Sequence, residues 1–500
     1  MAGDNIEVKR LVDKPQGEFW GYQTEGNYDI KDCSSAAHVY GKQIASGEAF
    51  TDITYRHSLA NIKNLADAAY AFGINEFVVC AVAYQADAGS RRLNTANGRQ
   101  YVLNRLNTLW PLSRPFWDYQ ARCSWMLRQG RPVSDFALYL GDDVPKRILA
   151  HLLPPIPQGY DYDALTTDAL LHRVRAVDGR LVLPDGVSYS MLLLPYDETL
   201  TPAVRQRVEA LRAAGVKVWD PHDGQPLGTA LSSAELRPDV DVPAARRLYF
   251  CHRRTSEADV YFLNNHSDDA VDDRFTFRLE ASNVELWNPV TGECHCLASE
   301  SRNGLTSVHL RMAPRQSFFV VLTNSPSGAP LLKQSAAATS LPLSRPWQLT
   351  FNPTMGGPAR PVVLDSLTDW SLSSDSLQRY YSGTAVYTTT FTLPAKDRSA
   401  VYRLAFGQVG SAAQVVVNGH EAATVWCSPW TADITPYVKK GVNKLEIRVA
   451  NCLWNRLVGD DRRNESERLM QQTTPLASPS DSLVSSGLIG RVTINVERQR

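Results

Sequence analysis

The chain has 500 residues, and 52 Lys plus Arg balance 52 Asp plus Glu, so its formal net charge is zero. A neutral chain without a dense basic stripe has no electrostatic attraction for nucleic acid or for an anionic membrane, and neither is expected as a partner. Its length predicts roughly three to four domains, and hydrophobic and charged shares of 43% and 21% are those of a globular protein.

No run of about 18 apolar residues occurs, so no transmembrane helix is expected. Met1-Ala2-Gly3-Asp4-Asn5 has neither the basic start nor the apolar stretch of a signal peptide. The cysteines at 33, 80, 123, 251, 294, 296, 427 and 452 are scattered and predict no disulfide scaffold.

Near the N-terminus, Pro15-Gln16-Gly17-Glu18-Phe19-Trp20 sets a carboxylate beside two aromatic rings. Residues 34–40 read as a helix closed by Gly41, and 43–49 as a strand that delivers Glu48 at its tip among small and apolar neighbours. Residues 58–72 have apolar spacing near 3.6 and a Gly73 stop, which predicts a second helix. The continuous apolar run 74–83 predicts a strand covered on both faces. This β-α-β rhythm assigns residues 1–125 to part of a (β/α)8 barrel. Only about three or four of the eight units needed for closure fit, so the chain is expected to begin inside the barrel.

Two glutamates on neighbouring strand ends, close to Trp and Phe, are what sugar-bond hydrolysis requires. One carboxyl protonates the leaving oxygen, another activates water or attacks, and flat apolar faces hold the pyranose ring. The same residues also read as ordinary solvated charges flanking turns.

Residues 126–245 read as an α/β, doubly wound-like domain, with buried strands at 135–140 and 191–194, a helix at 202–214 and a strand at 216–219. The loop Gly141-Asp142-Asp143 follows a strand and could host a ligand at a sheet edge. It lacks a phosphate-binding glycine series, and no GxGxxG or P-loop occurs, so no nucleotide cofactor is expected.

From about residue 246 the pattern turns to period two. Residues 246–324 predict a small β-sandwich, 325–345 a Ser-, Ala- and Pro-rich linker, and 346–500 a further all-β module. Val417-Asn418-Gly419-His420 is a strong hairpin signal. Cys294-His295-Cys296 could pinch a metal but has no second pair at ligand spacing and sits in a strand-like segment. His38 reads as a packed helical histidine, and Trp117 as a sugar platform or as core.

In combination these segments resemble a known family. PQGEFW, SSAAHVYGKQIASGEAFT and NIKNLADAAYAFGINEFVV resemble the second half of the barrel in glycoside hydrolase family 106, the α-L-rhamnosidases. DYQARCSWMLRQGRPVSDFALYLG, YDYDALTTDALL and DGRLVLPDGVSYSMLLLP are similar to that family's α/β domain, and HRRTSEADVYFLNN with VELWNPVTGE to its small β-sandwich. LTDWSL, YYSGTAVYTTTF, VNGHEAATVWCSPWTADITPYVKKGVNKLEIRVANCLWNRLVGD and SGLIG resemble its terminal galactose-binding-like jelly roll.

The resemblance implies inverting, calcium-assisted hydrolysis of terminal α-L-rhamnosides in plant or microbial polysaccharides, by a secreted or periplasmic enzyme. Family chains are longer, the additional portion lying ahead of PQGEFW. By position Glu48 is the general base and Glu18 a second active-site carboxylate, with the acid on an upstream strand outside this chain. Glu18 and Glu25 are implied calcium ligands, and Asp29 and Asp32 are further candidates. Substrate contacts are implied at Trp20, Tyr84, Gln85 and Trp117.

One segment departs from the family. Where relatives carry a stretch resembling H-T-Y-A-H-Q-P, this chain has Cys80-Ala81-Val82-Ala83-Tyr84-Gln85-Ala86, so Gln85 survives and both histidines are replaced. Tyr84 either substitutes as a stacking and hydrogen-bonding residue or is a strand-end aromatic. Two other outcomes stand beside an active hydrolase: a non-catalytic carbohydrate-binding remnant, and one chain of a split enzyme completed by an N-terminal polypeptide.

Overall fold

The β-α-β rhythm expected in the first part of the chain is present in the computed structural model. That structure describes residues 3–21, 28–81, 83, 84, 87, 89, 91–93, 104–142, 146, 148, 153–196, 200–241, 247–332, 339–343, 346–472 and 475–498. Two compact units interleave along the sequence. One comprises Met1–Thr51, Asn64–Val79 and Tyr119–Leu332, the other Asp52–Lys63, Cys80–Asp118 and Lys333–Arg500.

The first unit opens with α1 (Asn5–Arg10), β1 (Gln16–Trp20), α2 (Tyr28–Val39), β2 (Ser46–Thr51), α3 (Leu59–Ala71), β3 (Glu76–Val79) and, further on, α4 (Arg114–Leu127), with α3 and α4 each entering from the second unit. The three strands form a parallel sheet in the order β1-β2-β3. Helix α2 starts six residues earlier than its apolar spacing predicts. Charged residues mask the period there, and they are held in the fold by partners: Lys31 pairs with Asp161 at 2.9 Å, and Asp32 accepts from Asn5 Nδ2 at 2.7 Å.

Strand β3 differs from expectation in another way. It is four residues long and Val78 is 42% exposed, so it is not covered on both faces. The helices pack on one face of this sheet and leave the other open. Gly17 lies on the packed face, where a Cβ would stand 2.6 Å from the Asp29 carbonyl oxygen of α2.

Behind α2 lies a second parallel sheet of four short strands, in the order Lys217–Trp219, Met191–Leu193, Phe136–Tyr139 and Tyr162–Leu165. Its central strands are apolar and buried, as strands with both faces covered must be. Helix α2 is tied to it by Ser35 Oγ, which accepts from the Ala164 amide at 3.0 Å. His38 is buried and pairs with Asp163 at 2.8 Å, the packed role expected of it.

Two antiparallel sheets complete this unit, one of six strands built on Leu248–Arg254, Ala258–Asn265 and Ser317–Thr323, the other of four built on Val271–Phe277 and Leu305–Met312. Tyr261, Phe275, Phe277, Val308 and Val320 form their common core. Cys294–Cys296 is an edge strand here, and Cys296 Sγ donates to Ser327 Oγ at 3.0 Å. Among the described residues no group of three or more His, Cys, Asp or Glu could hold a metal ion.

The second unit is dominated by a six-stranded and a four-stranded antiparallel sheet sharing one core that includes Trp347, Trp370, Tyr387, Leu404, Ile447 and Ile494. The expected hairpin is present: Val417 pairs with His420, and Asn418 and Gly419 take φ of 53° and 86°. Thr339–Pro342, inside the segment read as a linker, pairs with Leu488–Arg498. Among the described residues no helix is long and apolar enough to cross a membrane.

Candidate active site

The parallel register sets Glu18 directly beside Glu48, and Glu48 beside Val78. Adjacent strands lie about 4.8 Å apart and in-register side chains share a face, so the two carboxylates stand side by side on the open side of the sheet. Both residues are half-buried. Among the described residues neither carboxylate has a hydrogen-bond or ion-pair partner.

The backbone beneath Glu18 is locked. Its amide donates to Asp29 Oδ2 at 2.7 Å. Asp29 Oδ1 accepts from Lys9 Nζ and from Asn5 Nδ2, each at 2.7 Å. Asn5 also donates to Asp32, which accepts the Ile148 amide at 3.0 Å. Burial pushes the Asp32 carboxyl up to about 7, against the pull of Asn5, Ile148 and Lys9.

At the foot of the same face, Ser46 Oγ donates to Glu76 at 3.1 Å, and Lys14 and Arg128 reach that carboxylate at 2.6 and 3.1 Å. Burial alone would raise the Glu76 carboxyl, but Lys14, Ser46 and Arg128 together hold it below its ordinary value. Cations are thus spent on Glu76 and not on Glu48.

At the tip, Glu18 pairs with Glu48 but Trp20 pairs with Thr51, so β2 carries one extra residue. Phe50 takes φ of 66° at this bulge. Its ring joins Phe19 and Phe77 on the helix side, with all three centroid separations at 5.5 Å, and Tyr70 stacks on Phe77 at 4.7 Å. The half-buried Trp20 follows the alternation of β1 onto the Glu18 face. Thr51, its register partner, is buried and its hydroxyl has no hydrogen-bond partner among the described residues.

The structure therefore brings together Glu18, Glu48 and Trp20. Tyr84 and Trp117 belong to the second unit. Tyr84 is 84% exposed. Trp117 lies on α4, donates from Nε1 to Ser113 Oγ at 3.2 Å and meets Phe116 edge-on at 4.9 Å, which is a packing role. Gln85 and Glu25 lie outside the described residues. Asp142 of the Gly141-Asp142-Asp143 loop accepts from Tyr139 OH, Thr167 Oγ1 and the Thr201 amide, so it closes local structure.

Sequence reading named Asp29 only as a calcium candidate, not as the acceptor that holds the Glu18 amide, and it missed Thr51 and the bulge. One signal was available for the register: the dipeptide Gly-Glu recurs at 17–18 and 47–48, small on the helix side and acidic on the open side. Nothing in Ala49-Phe50-Thr51 betrays an extra residue.

A second cluster of ionisable groups in the same unit is closed. His252 is fully buried, with Nδ1 2.7 Å from Asp239 and Nε2 2.8 Å from Asp259. A ring with carboxylates at both nitrogens carries both protons. Burial opposes that charge, yet Asp239 and Asp259 raise its pKa above the ordinary imidazole value. Arg278 bridges Asp239 at 3.6 Å to Asp135 at 2.5 Å. Burial pushes the Asp135 carboxyl up to about 7 despite that guanidinium.

The model of the glycoside hydrolase 106 family, described as alpha-L-rhamnosidase, matches residues 1–226 and 220–300. A glycosyl hydrolase 2 galactose-binding domain-like model matches residues 367–477. The solved rhamnosidase from Novosphingobium sp. PP1Y is 27% identical with a TM-score of 0.87, the match covering 99% of this chain and 52% of that one. A curated putative beta-glucuronidase from Formosa agariphila is 28% identical over 388 residues, 69% of this chain and 32% of its own length. The chain thus spans about half of the solved relative and about a third of the curated one.

Proposed function

The chain belongs to glycoside hydrolase family 106, the α-L-rhamnosidases, and from that premise we propose that it acts in hydrolysis of terminal α-L-rhamnosides with Glu48 as general base. The observation that carries this is the open-face pair: two in-register glutamates with no cation beside them among the described residues, above an aromatic layer. In this reading Glu48 takes a proton from the water that attacks the anomeric carbon. The parallel sheet with helices on one face is read as part of a (β/α)8 barrel. The antiparallel pairs of sheets are read as the small β-sandwich and the sugar-binding-like jelly roll.

An inverting acid and base stand about 6.5–9.5 Å apart to admit a water. Strand neighbours at about 4.8 Å are too close for that, so Glu18 is assigned to a sugar hydroxyl and not to the leaving oxygen. Trp20, level with Thr51 in the register, offers a flat face to the pyranose ring. Tyr84 and Gln85 are read as further substrate contacts.

Calcium fits only part of its expected ligand set. Lys9 and Asn5 already occupy the Asp29 and Asp32 oxygens, and an ammonium 2.7 Å from Asp29 repels a divalent cation. Glu18 remains as a ligand candidate with Glu25.

The test is turnover of p-nitrophenyl α-L-rhamnopyranoside, with the anomer of the first product read by NMR. Inversion and a fall of about 10²–10⁴-fold in Glu48→Gln are expected. Retention would instead make Glu18 and Glu48 a nucleophile and acid pair, whose carboxyls lie about 5 Å apart. Unaltered turnover in Glu48→Gln removes the base assignment. Binding without turnover selects the carbohydrate-binding reading, and turnover only after adding a complementary polypeptide selects the split enzyme. Preference for the β-D-glucuronide replaces the rhamnoside reading.

A further inference from the structure

The second unit contains two segments that are remote in sequence from its sheets, Asp52–Lys63 and Cys80–Asp118. Each starts where a strand of the parallel sheet stops, at Thr51 of β2 and at Val79 of β3. Segments leaving the C-terminal ends of parallel strands are where α/β enzymes place substrate contacts. Tyr84 lies on the second of them.

Both segments are fastened to the jelly roll by direct contacts. The Arg56 guanidinium lies over the Trp454 ring at 5.1 Å. The Arg91 guanidinium donates to the Thr354 carbonyl at 2.7 Å. Arg92–Leu93 runs parallel to Gln471–Gln472, where the Gln471 amide donates to the Arg91 carbonyl at 3.1 Å and Leu93 is fully buried. Thr108 Oγ1 donates to the Asn451 carbonyl at 2.5 Å, and Phe116 meets Trp426 edge-on at 5.6 Å.

The receiving side is stiff. The Asn451 side chain donates to the Tyr381 carbonyl and to Ser486 Oγ and accepts the Gly383 amide, and Trp454 donates to the Ser482 carbonyl. A freestanding sugar-binding appendage has no need of such anchors. A clamp does, because a contact residue held in place loses less freedom when the sugar arrives.

We propose that the jelly roll is a positioning module, which holds the segments leaving β2 and β3 through Trp454, Thr354, Asn451, Trp426 and Gln471–Gln472, and thereby sets affinity for the glycoside. This rests on the rhamnoside reading. Arg91 and Thr108 are positioning residues and touch no substrate.

The experiment uses the full chain with Glu48→Gln, which suppresses turnover, and adds Arg91→Ala with Thr108→Val. Amide exchange at 104–118 should rise at least tenfold, while Thr384–Leu393 and Gly441–Ala450 stay as protected as before. Calorimetric affinity for p-nitrophenyl α-L-rhamnopyranoside should fall about tenfold, and Arg91→Lys with Thr108→Ser should restore both. Faster exchange with unchanged affinity would reduce the contacts to scaffolding, and unchanged exchange would remove the clamp; either overturns the proposal. Should the sheet strands also lose protection, Arg56→Ala, at an exposed residue, gives the same readouts for 52–63. A parent chain that binds no rhamnoside refutes the proposed function and takes this inference with it, a result distinct from intact binding that the variants leave unmoved.

Discussion

Glu18 and Glu48 share an open sheet face with no cation beside them among the described residues, whereas Asp135, Asp239 and Asp259 surround a buried imidazolium and a half-buried guanidinium. Both groups belong to the first unit. The closed cluster shows what burial demands: every charge must be paired, because an uncompensated ion in a low-dielectric interior costs several kcal/mol. The open pair shows the converse. A group that must exchange a proton with water has to be reachable and not already committed to a cation, and here Lys14 and Arg128 are drawn off by Glu76.

The contrast breaks most sharply at Asp239. Asp239→Asn leaves His252 and Arg278 short of a negative partner in the interior, and should cost about 3–5 kcal/mol of stability in urea denaturation. A loss below about 1 kcal/mol would mean the cluster is not the paired network described.

The pH profile is the next test. His252 has a folded pKa above its unfolded value, so its share of stability is complete below about pH 6.5 and drains as pH rises through the raised value. Asp135, pushed up to about 7 by burial, acts with the same sign at lower pH: its share is complete below about pH 3.9 and is lost as pH rises to about 7. Asp239 is buried and Asp259 half-buried, but His252 lowers both; their share is present above about pH 3.9 and is lost as pH falls through the depressed values. Unfolding free energy should therefore decline above neutrality, and His252→Gln should flatten that decline. An unchanged alkaline slope in His252→Gln would detach the cluster from the pH response.

Smaller effects belong to the open sheet. Lys14 and Glu76 have side chains 45% and 21% exposed, so their coupling in a double-mutant cycle should be only about 0.2–1 kcal/mol. Glu48→Gln should leave the unfolding free energy within about 0.5 kcal/mol of the parent, because no partner among the described residues is lost. A large destabilisation would place Glu48 among the structural carboxylates.

Legibility in the sequence tracked the range of the forces involved. Glu18, Glu48, the alternation of strands and helices, and the Asn418-Gly419 hairpin are written in short windows whose periods survive in the fold. The start of α2 was hidden because Asp29, Lys31 and Asp32 look solvated and are instead met by Lys9, Asp161 and Asn5, groups set by tertiary structure. The apolar run through β3 read as a doubly covered strand, yet its outer face stays open beside the carboxylates. His252, Asp239 and Asp135 are brought together across more than a hundred positions, and no local pattern announces them.

The bulge at Phe50 changes what β2 can tolerate. Before it, even-numbered positions look toward the open side; after it, Thr51 does, so the strand carries two phases joined at one residue. Adding or removing a residue there would turn over everything toward the tip while Glu48 kept its place opposite Glu18. The two ends of β2 can thus change independently, with Glu48 keeping its register beside Glu18 whatever follows the bulge.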